Sequence, residues 1–251
     1  MPETLYKLTD ENDQTYGGCQ WGEGVTHTAD GLGGLCTCHW IHSTTDPLLA
    51  VLLNPAQGRY DPATAHLWRC SGVVGKEDTP SRLKVGCTDA TTIERIPLPV
   101  VTAEQTVRFG ILCALEVYGE KKYVAWAENW LSGKDRTSTS AEAAAKAVAV
   151  EAAESSRVRS SHCSAAEAAA TAAWAAADAA WAAWAAAKAA TAAADADVAE
   201  WAAAEAGWVA WAAVDAAATA ATTAAEAATA VRPLDLIAIA RRAISEEVSD
   251  G

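Results

Sequence analysis

Hydrophobic positions follow two different periods along the chain. Short alternating stretches at Leu5–Leu8, Gly24–Thr28, His39–Ser43, Leu67–Val73, Leu83–Cys87 and Thr91–Ile96 are bounded by Gly, Pro, Asn and Asp. That is the pattern of half-buried strands. Among them, Asp46-Pro47 opens the apolar run Leu48–Leu53, which predicts a short helix with Asp46 as N-cap and Pro47 at its first position. Asn54-Pro55 closes that helix. The first part therefore reads as a mostly antiparallel sheet with one helix on a face.

Beyond Ile96-Pro97-Leu98-Pro99 the period becomes helical. Thr102-Ala103-Glu104-Gln105 matches a capping box and opens a helix through Phe109, Leu112 and Leu115 to Tyr118, with Gly119 as its stop. A second helix carries Trp126 and Trp130 one turn apart and ends at Ser132-Gly133. Thr139-x-x-Glu142, Ser164-x-x-Glu167 and Asp197-x-x-Glu200 are three further boxes, each where an Ala-rich run begins. Trp174, Trp181 and Trp184 recur at a constant displacement as Trp201, Trp208 and Trp211. An antiparallel hairpin reversing at Ala194–Asp197 would bring the two Trp faces together. A last amphipathic helix runs through Leu236, Ile239, Ala240, Ala243 and Ile244, with Arg241 and Arg242 on its wet side. The expected fold is α+β: a small mostly antiparallel β domain over 1–100, then an Ala/Trp-rich antiparallel helical bundle over 101–251.

Composition sharpens this picture. About half of residues 141–230 are Ala, which is cheap to place in a helix but buries little area. The indoles are therefore expected to supply most of the buried surface of the bundle, with a stacking slot for a planar ring such as a purine as the alternative use of the repeat. Lys plus Arg is 19 against 32 Asp plus Glu, a net charge of −13. Residues 1–100 hold 7 basic and 12 acidic side chains, so no basic arm exists and nucleic acid is not an expected partner. The stretch Ala168–Ala194 contains Asp178 and Lys188 and no Leu, Ile, Val or Phe, so a membrane span is not expected either. With seven Cys and no secretory pattern at Met1-Pro2-Glu3-Thr4, the expectation is free thiols and a cytoplasmic location.

Candidate chemistry is sparse. Cys36-Thr37-Cys38-His39-Trp40-Ile41-His42 is the densest group of ligating side chains, yet C-x-C without a second pair is not zinc spacing. On a strand, Cys36 and Cys38 would share one face and His39 the other, giving buried thiols and a strand histidine. Gly17-Gly18 and Gly31-x-Gly33-Gly34 lack the Lys-Ser/Thr of a phosphate loop and read as turns. No catalytic residue, metal or cofactor is nominated. The basic side chains gather in two places, Lys134 with Arg136 and Arg157 with Arg159 and His162. A helix of about 18 residues between them separates these loops by roughly 27 Å, so one chain cannot join them in a simple pocket. The bland reading is solvated loop charge; an oligomer could unite the two.

The residues Tyr6-Lys7, Gly18-Cys19-Gln20-Trp21, Leu35-Cys36, Trp40, His42, Pro47-Leu48, Leu67-Trp68-Arg69-Cys70-Ser71-Gly72 and Ile93-Glu94-Arg95-Ile96-Pro97 resemble an uncharacterised domain of phage and prophage proteins. Arg108–Arg136, with Trp126-Ala127-x-x-Trp130-Leu131-Ser132-Gly133 and the Ala-rich helices after it, is similar to helical proteins labelled as bacterial immunity proteins. The phage-type resemblance implies a non-enzymatic binder, and the expected function is capture of a nucleotide-type immune signal in a pocket shared between the α+β domain and the Trp helices or between subunits. The candidate ligand-binding residues are Trp40, His42, Trp126, Trp130, Arg157 and Arg159. The alternatives are a protein–protein or self-assembly module that engages a host protein or forms a homo-oligomer, and a nucleotide-acting enzyme using Cys36, His39 or His42.

Overall fold

The first strand, β1 (Glu3–Thr9), buries Leu5, Lys7 and Thr9 and leaves Tyr6 and Leu8 half-buried, the alternation its sequence prescribes. This is seen in a computed structural model that describes residues 1–54, 58–77, 82–157, 164–194, 219–220, 223–224 and 233–245. The chain is α+β, an antiparallel sheet region followed by a cluster of helices. It divides into two compact units, Met1–Val100 with Asp235–Ala240 and Val101–Leu234 with Arg241–Gly251.

In the first unit β2 (Gln14–Thr15) and β3 (Cys19–Gln20) form a small hairpin, followed by β4 (Thr26–Thr28) and β5 (Ile41–Ser43). Helix α1 (Pro47–Leu52) starts as the sequence predicts, with the Asp46 carboxylate accepting from the Leu48 N–H at 2.8 Å. Two long strands complete the sheet, β6 (His66–Glu77) and β7 (Val85–Ile96). β1 pairs with β6 so that Leu5 faces Cys70, Lys7 faces Trp68 and Thr9 faces His66. β6 pairs with β7, and the outer edge of β7 carries β4 at Asp89–Thr91 and β5 at Val85–Cys87, end to end. Thr44, just past β5, then exchanges two 2.9 Å backbone hydrogen bonds with Tyr6 of β1. The sheet thereby meets its own opposite edge. Register shifts in β6 near Cys70 and Val74 supply the bending that this closure needs.

The β2–β3 hairpin is not in the sequence expectation, β4 starts two residues late and β6 runs on to Glu77, and two further strand readings change. Leu83–Cys87 and Thr91–Ile96 belong to one strand, because Thr88–Ala90 stays paired to its neighbours and buries Ala90. His39–Ser43 is a strand only from Ile41. Residues 36–40 are turns, so Cys36 and Cys38 are exposed instead of lying on a strand face. The single-residue alternation was too short there to outweigh Gly33-Gly34 just before it.

In the second unit α2 (Ala103–Val117) opens on a complete Thr102–Gln105 capping box. It ends at an extended Tyr118 and not through a left-handed Gly119: the Tyr118 ring leaves the helix to pack on Tyr123, and its hydroxyl donates to Glu151 at 2.5 Å. Helix α3 (Lys121–Leu131) is capped by Glu120, which accepts from the N–H groups of Lys122 and Tyr123, and stops before Gly133 at φ 75°. Helix α4 (Ser138–Arg157) begins two residues ahead of the expected box. Thr137 receives the Ser140 N–H, and Glu142 pairs with Lys146.

Helix α5 (Ser164–Ala194) packs on α4 and α2. Its buried positions are alanines, among them Ala173, Ala176, Ala179, Ala180 and Ala183, whereas Trp174 is 42% exposed and Trp181 and Trp184 only flank the core. The expectation that indoles supply most of the burial is therefore corrected for this helix: its alanine faces make the close contacts and its tryptophans lie at the margin. The reversal at Ala194–Asp197, the third capping box and Trp201, Trp208 and Trp211 lie outside the described residues. Helix α6 (Leu236–Ser245) follows the expected pattern, with Asp235 as cap, Leu236, Ala240 and Ala243 buried, and Arg241 and Arg242 exposed. Among the described residues, no helix is long and apolar enough to cross a membrane.

Candidate functional site

A cleft of about 720 Å³ opens in the first unit, within the size range of small-molecule sites. One wall is built by β1 and the β2–β3 hairpin, another by the 36–44 segment, and the far side by Asn54, Gly58 and Tyr60. Lys7 sits in it because strand alternation turns that residue inward with Leu5 and Thr9. Its ammonium donates to the His42 carbonyl at 2.7 Å and lies 4.6 Å from the centre of the Trp21 ring. Burial holds the Lys7 amine below the usual lysine range, opposed by the neighbouring Cys70, Cys19 and Cys87 thiols. The other face of this arrangement is His27, whose ring meets Trp21 edge-on at 4.5 Å.

Trp40 is nine-tenths buried on the same cleft, and its benzo edge lies on Gly31, Gly75 and Gly86. A Cβ at Gly75 would come within 2.7 Å of this ring and one at Gly86 within 3.0 Å, so these two strand glycines create the seat. The Trp40 Nε1–H is buried with no acceptor. His42 is fixed from its ring side, Nε2 donating to the Leu35 carbonyl at 2.5 Å. Lys84 extends to the cleft from the segment before β7 and donates to Cys36 Sγ at 3.2 Å. Tyr16, fully exposed, and Tyr60, its phenol raised by burial, add aromatic surface. Among the described residues, the lining contains two lysines and two histidines and neither Asp nor Glu.

A Cys–His contact does occur here, between Cys19 Sγ and His27 Nε2 at 3.6 Å. The same Nε2 lies 2.8 Å from the Gln20 carbonyl, which can only accept, so Nε2 carries the hydrogen. In that tautomer it cannot take a proton from Cys19. The pair is not poised as nucleophile and base.

Of the six residues the sequence nominates, Trp40 and His42 come together at this cleft. Trp126 and Trp130 belong to the second unit, where both are buried in the core with Tyr123 and Ala127. Arg157 ends α4, and Arg159 lies outside the described residues. Arg136 is not a solvated loop charge: it pairs with Glu104 at 2.9 Å, donates to the Trp130 carbonyl and covers the Trp130 ring at 4.9 Å. Sequence reading missed Lys7, Trp21, His27 and Lys84. Only Lys7 left a signal, a charged side chain on the inward phase of the first strand. No known protein family, curated protein or solved structure matches the chain.

Proposed function

We propose that the first unit is a non-enzymatic small-molecule binder whose cleft takes an anionic ligand bearing a planar ring, a nucleotide-type molecule. The observation that carries this reading is the lining itself: Lys7 and Lys84 with aromatic rings and, among the described residues, no carboxylate, in a chain of net charge −13. Such a surface favours phosphate or carboxylate through charge-assisted hydrogen bonds and offers π-faces to a base. The Cys19–His27 tautomer favours capture over turnover. In the phage-type setting that the N-terminal resemblance implies, capture would withdraw a signalling nucleotide from host defence.

The test is calorimetry and thermal shift of the full chain against mono-, di- and cyclic nucleotides. One class is expected to bind and raise the Tm, and Lys84→Glu is expected to weaken it about tenfold or more, the weight of a charge-assisted hydrogen bond. Silence across the whole panel, or binding indifferent to Lys84→Glu, refutes the reading. Self-assembly through the helical part is a second reading, drawn from Trp174, whose indole is 42% exposed on α5. It requires a defined oligomer by light scattering that Trp174→Glu disperses.

A further inference from the structure

The described thiols are not equivalent. Cys70 and Cys87 are buried with their thiols pushed up to about 11, and burial raises Cys113 as well. Cys36 and Cys38 are both exposed and two residues apart on the same turn. What separates them is Lys84. Its Nζ donates to Cys36 Sγ at 3.2 Å, whereas no described cation is placed against Cys38. The pair stands on the wall of a cleft that Lys7 and Trp40 also line. The Lys7 ammonium there is buried and held by the His42 carbonyl, and the Trp40 Nε1–H is buried without an acceptor.

We propose that Cys36 is a thiol–disulfide exchange site for small disulfides that carry negative charge, with Lys84 as its positioning residue. In the exchange the Cys36 proton goes to solvent and the sulfur anion forms a new S–S bond to one sulfur of the small disulfide. The old S–S bond breaks, and its electron pair leaves on the other sulfur as a thiolate. Cys36 is oxidised to a mixed disulfide and half of the small disulfide is reduced, so no further oxidant is needed. Negative charge is spread over three sulfurs in the transition state. The Lys84 ammonium lies where it stabilises that charge, and the described wall, which holds no carboxylate, accommodates the charged substituents of the disulfide. The site stands on the geometry of the pair and not on the nucleotide reading.

The experiment treats the native full chain with two aromatic disulfides, the neutral dithiodipyridine and the dianionic dithiobis(nitrobenzoate), and maps modified cysteines over time by mass spectrometry. Cys36 is expected to react at least about fivefold faster than Cys38 with the neutral reagent, and by a wider margin with the dianion. Lys84→Gln should narrow both margins, the dianion's more, and Lys84→Arg should restore most of the difference. A merely structural role for Lys84 would move both reagents alike. Equal rates at Cys36 and Cys38 in the native chain, or a Cys36 rate unchanged by Lys84→Gln in a variant that melts like the parent, overturns the proposal. Nucleotide binding is read separately, so silence in the nucleotide panel with Cys36 selectivity intact removes only the function proposed above.

Discussion

Asp13 shows how much one side chain in an unusual conformation can organise. Its backbone is left-handed at φ 60°, and its carboxylate accepts from His66 Nδ1 at 2.8 Å, Trp68 Nε1 at 3.1 Å and Arg95 at 2.6 Å. The Arg95 guanidinium also covers the Trp68 ring at 5.3 Å. Asn tolerates the same φ but loses the charge, so Asp13→Asn should lower stability by about 1.5–3 kcal/mol in urea unfolding. A change below about 0.5 kcal/mol would mean that the cluster is ornamental. Asp178 on α5 is the opposite case, a carboxylate that the fold disfavours. Burial pushes it from 3.8 to about 6. Between those pH values the folded state binds the extra proton, so the Asp178 contribution to stability is fully present below about pH 4 and is lost as pH rises through about 6. Asp178→Asn should therefore stabilise the chain at pH 7 by about 1–2 kcal/mol, discounted for partial exposure, and do little at pH 4 relative to the parent. Equal effects at both pH values would remove the ionisation argument. Neither role was legible in the sequence. Asp13 looks like any turn residue until β6 and β7 bring partners from more than fifty positions away, and Asp178 looks like a solvent-facing break in an alanine run.

Elements were legible where a local signal decides them. Asp46-Pro47, the Thr102–Gln105 box and Gly133 act through hydrogen bonds and backbone angles within four residues, and each begins or ends a helix as read. Where tertiary packing competes, the local signal loses. Tyr118 ends α2 because its ring has a place beside Tyr123, and Thr139 yields its capping role to Thr137. The cleft was half legible for the same reason. Trp40 and His42 lie within one dense segment, but Lys7, Trp21 and Lys84 meet them only through the closure of β1 on Thr44 and the pairing of β5 with β7. Helix α5 gives the sharpest element-scale prediction. Its interface is alanine, so added volume is worse than lost indole: Ala179→Leu should cost about 1–3 kcal/mol and Trp174→Ala less than about 1 kcal/mol in urea unfolding. The reverse order would return the tryptophans to the centre of the packing.

At the scale of the whole molecule, the cleft's local sign opposes the chain's net charge. Nineteen basic against 32 acidic side chains give −13, while the described cleft lining holds lysine and histidine and no carboxylate. On the proposed reading, an approaching anion therefore meets repulsion at long range and attraction at contact. Salt separates the two, because the screening length is about 30 Å at 0.01 M and about 10 Å at 0.1 M. Over that range the long-range repulsion is removed first, whereas short contacts to Lys7 and Lys84 persist. The association rate of a dianionic ligand should then rise as salt goes from about 0.01 M to about 0.1 M, while its dissociation rate rises less or stays level. Stopped-flow fluorescence on the native tryptophans reads both. A rate of association that only falls with salt would mean that the field at the entrance is already attractive, and that the acidic surplus does not govern the approach.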